Sequence, residues 1–157
     1  MDKGQVAFEP TSLISPVEIP PDIHVALWDK FLFVVSWGGV GAVTRAPIGV
    51  LRGMPETRQI LEQAMQEIFN VARAREIALP EDAIGKTLAF MDSLPTGGTT
   101  SLQRDIMEGK PSELEAWNGA VVRLGQEVGV TTPLHSFIYH SLLPLELRAR
   151  GQLQFPI

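Results

Sequence analysis

The sequence predicts an all-α protein, built as a multi-helix bundle. Apolar residues recur at three- and four-residue spacing in one segment after another, and a helix-start signal precedes most of those segments. No stretch alternates apolar and polar residues in the manner of a half-buried strand, and no internal repeat is present. With 157 residues, 45% hydrophobic and 20% charged, the chain can bury its own core as a single domain.

Residues 1–21 contain Pro10, Pro16, Pro20 and Pro21, which cut short any helix, and read as an extended arm or linker remnant. The helical domain is expected over 22–150, with 151–157 as a tail. Asp22 is a good N-cap for a first helix through Leu27, Trp28, Phe31, Leu32 and Val35, which Gly38, Gly39 and Gly41 are expected to weaken or bend. Pro55 and Glu56 open a second helix with the stripe Leu61, Ala64, Ile68, Val71 and Ala72. Pro80, Glu81 and Asp82 start another through Ile84, Leu88 and Met91.

The Pro95–Thr100 stretch, PTGGTT, reads as the most flexible internal connection, followed by a short helix over Leu102–Glu108. Ser112 and Glu115 have capping-box spacing ahead of Leu114, Trp117, Val121, Leu124 and Val128. Thr132-Pro133 starts the last helix, through Leu134, Phe137, Ile138 and Leu142, with Pro144 expected to kink or end it.

Several chemistries are excluded or disfavoured. The absence of cysteine removes disulfides, thiolate metal sites and cysteine nucleophiles, and fits a cytoplasmic protein. A net charge of -5 with scattered arginines argues against nucleic acid as a partner. The apolar run Phe31–Val43 is shorter than the roughly 20 residues that cross a bilayer, and MDKGQVAFEP lacks the features of a signal peptide, so neither membrane nor export is expected. Trp37-Gly-Gly-Val-Gly41 lacks the third glycine of a dinucleotide loop, since Thr44 stands in its place, and reads as close helix packing or a kink. His135 and His140, five apart with no third ligand nearby, read as surface or boundary histidines rather than a metal site.

Three residues are candidates for chemistry. Lys30 has Ala26, Leu27, Val34 and Trp37 as same-face neighbours on a helix, and an ammonium held against such a surface loses hydration and gives up its proton more easily. The plain alternative is a snorkelling lysine with its amine in water. Glu113 follows the cap Ser112, where the helix dipole holds a carboxylate ionised and directed toward a substrate hydroxyl, or simply stabilises the helix. Ser101 either donates to a substrate carboxylate or caps the next helix.

From about Ile23 to Tyr139 the sequence resembles the C-terminal helical domain of the ketopantoate reductase (2-dehydropantoate 2-reductase) family, within the 6-phosphogluconate dehydrogenase-like proteins. Two ordered blocks carry the resemblance. One is Leu27-Trp28-Asp29-Lys30-Phe31; the other runs Thr100-Ser101-Leu102, Asp105, Gly109-Lys110, Glu113-Leu114-Glu115, Asn118-Gly119 and Thr132-Pro133. The resemblance implies reduction of a 2-keto acid by NADPH in the pathway to pantothenate and coenzyme A. It assigns Lys30 as catalytic proton donor, with Ser101 and Glu113 binding substrate, the glutamate at its hydroxyl end.

The family also places asparagines four and eight residues after that lysine, where this sequence has Val34 and Gly38. That change implies either a more apolar substrate or a site that no longer pairs ketopantoate. The family's nucleotide-binding Rossmann half has no counterpart ahead of Lys30, because about 22 residues fall short of the roughly 30 that a βαβ unit needs. Two functions follow as expectations. One is the substrate-side domain of a reductase that needs a separate Rossmann-domain partner and is inactive alone. The other is a non-enzymatic helical module for dimerisation or small-ligand binding. In both, a homodimer is expected.

Overall fold

The computed structural model describes residues 22–156, and the expected arm over 1–21 lies outside them. Among the described residues the architecture is entirely helical: α1 Ile23–Thr44, α2 Ile48–Gly53, α3 Pro55–Ala74, α4 Ala83–Ser93, α5 Ser101–Met107, a π turn Glu115–Gly119 continuing into α6 Ala120–Val128, and α7 Pro133–Ala149. The sequence misses only α2 and the π turn.

Helix α1 is the axis of the bundle, packing against α3, α5, α7 and the π turn. By length and composition it could cross a membrane, yet half of its most apolar window is buried in the fold, as befits a core helix. Asp22 caps it as expected, its carboxylate accepting from the His24 amide at 2.8 Å. The glycines at 38, 39 and 41 do not interrupt it, and of the close packing or kink expected there the structure shows close packing. They are contact points: an added Cβ would lie 2.7 Å from the Trp117 ring at Gly38, 2.4 Å from the Asn118 amide at Gly39 and 2.6 Å from Gln103 Oε1 at Gly41. Their missing side chains let α5 and the π turn approach the helix backbone closely.

The stripe Leu61, Ala64, Ile68, Val71 and Ala72 of α3 is completely buried, as its periodicity predicts. The PTGGTT connection is tethered rather than loose. Its Thr96 and Gly98 carbonyls accept from the first amides of α2, and Arg52 bridges the Met91 and Leu94 carbonyls at 2.7 Å each. Helix α7 runs on through Pro144 to Ala149, so the expected kink or stop is not a helix end. Pro144 lies on an exposed face, where the missing N–H costs less than it would in the core.

Two histidine expectations separate. His140 is exposed, but His135 is completely buried. Its Nε2–H donates to the Ala64 carbonyl at 2.9 Å, and its Nδ1 accepts from the Asn118 amide at 3.1 Å. The ring therefore ties α3, the π turn and α7 together.

Candidate functional site

Lys30 lies on the N-terminal half of α1, exposed, at the side of an open groove of about 710 Å³ between α1 and α4. Phe33 and Phe90 meet edge-to-face in that groove with ring centroids 5.2 Å apart, and Asp29 and Lys86 lie at its rim. Lys86 pairs with Asp82 at 3.0 Å, whereas among the described residues Lys30 forms no ion pair. The apolar neighbours do not enclose the ammonium, because Leu27 is itself 57% exposed. The desolvation expected for Lys30 thus does not arise within residues 22–156.

Ser101 is the exposed first residue of α5. It does not cap that helix: the cap is Thr100, whose hydroxyl accepts from the Gln103 amide at 3.2 Å. The Ser101 hydroxyl is therefore not spent on the helix terminus. Glu113 is also exposed, but it sits at a bend before the π turn rather than as the first residue of a helix. The dipole argument for it is corrected accordingly.

The capping box does not form either. Glu115 is engaged with Arg123 and the Tyr139 hydroxyl, and its hydrogen bond pushes the Tyr139 phenol above its ordinary range. The partner of Ser112 is Glu146, whose carboxylate accepts from the Ser112 amide at 3.1 Å and from its hydroxyl at 2.5 Å. Glu146 also pairs with Arg150 at 2.6 Å, and Arg150 donates to the Ser112 carbonyl at 3.0 Å. The residue immediately before Glu113 is thereby clamped to α7. Nothing local in the sequence announces this, since Ser112 and Glu146 are 34 residues apart.

The segments that carry the three candidates meet at one contact. Continuing from Lys30 by helical turns gives Val34 and then Gly38. An added Cβ at Gly38 would lie 2.7 Å from the Trp117 ring and 3.3 Å from Leu102. Leu102 follows Ser101, and the Trp117 amide donates to the Glu113 carbonyl at 2.9 Å. Ser101 and Glu113 do not line the groove beside Lys30; what the fold brings together is their backbone supports.

Glu67 of α3, half-buried, accepts from the Leu134 and His135 amides at 2.8 and 3.0 Å, supplying the cap that the Thr132 side chain does not make. Burial holds its carboxyl above the usual range despite those bonds. Among the described residues no group of His, Asp and Glu comes together as a metal site. Nor do Gly38, Gly39 and Gly41 fit a nucleotide phosphate, because they lie inside α1 and are covered by Trp117, Asn118 and Gln103.

Comparison with known proteins identifies the fold. Residues 22–146 match the family model described as ketopantoate reductase PanE/ApbA C terminal. A 2-dehydropantoate 2-reductase of Aquifex aeolicus is 31% identical over 136 residues, covering 84% of this chain and 44% of the relative. The dimeric ketopantoate reductase of Staphylococcus aureus superposes with a TM-score of 0.77 at 24% identity, over 83% of this chain and 46% of that one. A D-mandelate dehydrogenase bound to NADH and anilino(oxo)acetate superposes with a TM-score of 0.74 at 19% identity, over 85% of this chain and 44% of that one. At such identities the last two likenesses concern the fold alone. The chain spans less than half the length of the curated relatives it matches, and the shared part is helical throughout. The chain therefore belongs to the ketopantoate reductase family, of which residues 22–146 are the C-terminal helical domain.

Proposed function

We propose that this chain is the substrate-side domain of an NADPH-dependent 2-keto acid reductase, acting in the cytoplasm on the route to pantothenate. The observation that carries the reading is the family match over 22–146, supported by the packing together, through Gly38, Leu102 and Trp117, of the segments that carry Lys30, Ser101 and Glu113. The α1 glycines, covered by Trp117, Asn118 and Gln103, form no cradle for a dinucleotide. NADPH therefore belongs to a Rossmann domain elsewhere, on the same or a separate polypeptide.

What this chain contributes is positioning and a proton. Ser101 donates to the substrate carboxylate and Glu113 accepts from a polar group at the substrate's far end. The Lys30 ammonium donates its proton to the oxygen on which negative charge develops as the ketone becomes an alcohol. Docking of the nucleotide-binding domain over the exposed Lys30 supplies the enclosure that this domain lacks, and with it the desolvation that eases proton donation.

The test is NADPH oxidation with a panel of 2-keto acids, by this chain alone and after mixing with a folded Rossmann domain of the family. The chain alone should be inactive and the mixture active, with Lys30→Ala lowering kcat at least 100-fold. No turnover from a folded mixture, with Lys30→Ala indistinguishable from the parent, rejects the reading.

Val34 and Gly38 on the Lys30 stripe favour a second reading, a non-enzymatic dimerisation or ligand-binding module. Thermal stabilisation by keto or hydroxy acids that disappears in Glu113→Gln supports the inherited site. Its absence supports the module.

A further inference from the structure

Helices α1, α5 and α7 all end around an open cavity of about 640 Å³, walled on one side by the C-terminal residues Gly151, Leu153, Gln154 and Phe155. Each of the three chains of turns leaves its helix through a left-handed residue. After α5 and α7 that residue is Gly109 and Gly151, at φ 68° and 71°, but after α1 it is Arg45, at φ 60°. Glycine takes this conformation without a Cβ penalty, whereas an arginine there is strained. The end of α1 therefore carries a long side chain where the backbone favours none.

Arg45 and Arg148 both line the cavity, and they share a second property. Among the described residues every other arginine is engaged: Arg52 and Arg104 donate to backbone carbonyls, and the rest pair with Asp or Glu. The side chains of Arg45 and Arg148 do neither. Arg148 instead lies over the Phe155 ring, its guanidinium carbon 5.5 Å from the ring centre. That contact consumes no N–H group, so the donors of Arg148 stay available. The carboxylate that lines the cavity, Glu108, is already paired with Lys110. In a chain of net charge -5, two arginines left without a carboxylate and lining one hollow call for an anion from outside.

We propose that this cavity binds an organic phosphate monoester through Arg45 and Arg148. Guanidinium forks match phosphate oxygens bidentately. A phosphate monoester carries a charge of about -1.5 to -2 at pH 7, which two arginines offset and a single carboxylate would not. The organic part of the ligand lies on Ile106, Leu145 and Leu153, apolar surface that a bare phosphate ion leaves in water. Arg45 follows the last residue of the helix on whose N-terminal half Lys30 lies, so roughly 20 Å of helix axis separates the two. The cavity is a site of its own, and its ligand does not depend on the reductase reading.

The experiment is a calorimetric titration of this chain at low ionic strength, with phenyl phosphate, inorganic phosphate and benzoate as probes, alongside thermal unfolding of each variant. Phenyl phosphate should bind at a single site, about ten-fold or more tightly than either other probe. Arg45→Gly should weaken it by about ten-fold or more while leaving Tm unchanged or raised, because glycine relieves the strained turn. Arg148→Gln, which leaves the turn untouched, should weaken it as much. Arg75→Gln removes the same charge outside the cavity, from a pair with Glu127, and should leave binding within about two-fold. Absence of binding, or losses of equal size in all three variants, overturns the proposal, the second because general charge attraction then accounts for the affinity. Benzoate or inorganic phosphate binding as tightly as phenyl phosphate overturns the assignment of the ligand class.

Discussion

His135 shows how much a single side chain can hold when both its ring nitrogens are spent on the fold. Burial pushes its imidazole down to about 4, outweighing the Ala64 carbonyl bond that favours the charged ring. The sign of the effect on stability follows. Above pH 6.5 the ring is neutral whether folded or unfolded and contributes no pH dependence. Between 6.5 and 4 the unfolded chain takes up a proton that the folded one refuses, so stability falls by about 3 kcal/mol across that window. Glu67, whose carboxyl burial raises, works in the opposite direction at the acid end. The clean measurement is therefore the difference between the parent and His135→Gln in urea midpoint from pH 7 to 4.5. The parent should lose stability more steeply, by close to one proton, and parallel curves would show that the ring does not titrate as its burial requires. The sequence alone could not mark this residue. The partners of His135 are Ala64 and Asn118, 71 and 17 positions away, and a histidine near a helix start looks the same whether its ring turns inward or outward. The Gly38–Gly41 run was similarly visible, but its meaning lay in distant partners that no local pattern reveals.

Elements were legible where one helix satisfied its own rules. The α3 stripe, the Asp22 cap and the Pro55 and Pro133 starts are local features, and each appears where its residues stand. Legibility failed where one element borrows a group from another. Ser112 and Glu115 have the right spacing for a capping box, but Glu146 supplies the carboxylate and Arg150 completes the clamp. Glu67 likewise replaces the local cap of α7. The two carboxylates near Ser112 should therefore behave very differently. Glu146 is 3% exposed, and Glu146→Ala leaves the buried Ser112 amide and hydroxyl without their acceptor and breaks the pair with Arg150. The expected cost is about 3 kcal/mol, a fall in Tm of about 10 °C for a chain of this size. Glu115 is exposed, and loss of its pair with Arg123 should cost about 1 kcal/mol or less. Thermal unfolding of the two alanine variants decides between the clamp and the capping box: equal losses, or a larger one for Glu115→Ala, would restore the local reading.

At the scale of the whole molecule, helical periodicity was enough for the fold class, whereas the candidate site became visible only through family resemblance. Lys30, Ser101 and Glu113 lie on three separate segments, and no spacing rule joins them. The surface beside Lys30 explains a further property. Ile23 and Leu27, one turn apart on α1, are each 57% exposed, and Leu27, Trp28 and Phe31 border a hollow with Ala120 and Leu124 on α6. A contiguous apolar strip of this kind, next to Lys30, is costly to leave in water. A nucleotide-binding domain docked over Lys30 covers it in the reductase reading; with this chain alone, a second copy is the available cover, through a symmetric contact of the strip with itself. The chain should therefore be a homodimer at high micromolar concentration by light scattering. Leu27→Glu, which places a charge at the centre of the strip without entering the core, should shift the mass to that of a monomer with little change in Tm. Adding a Rossmann domain should also dissociate the dimer, because both partners compete for the same strip. A parent chain that is monomeric at high micromolar concentration, or a dimer indifferent to Leu27→Glu, would place the contact elsewhere and remove the argument that the strip beside Lys30 is a docking face.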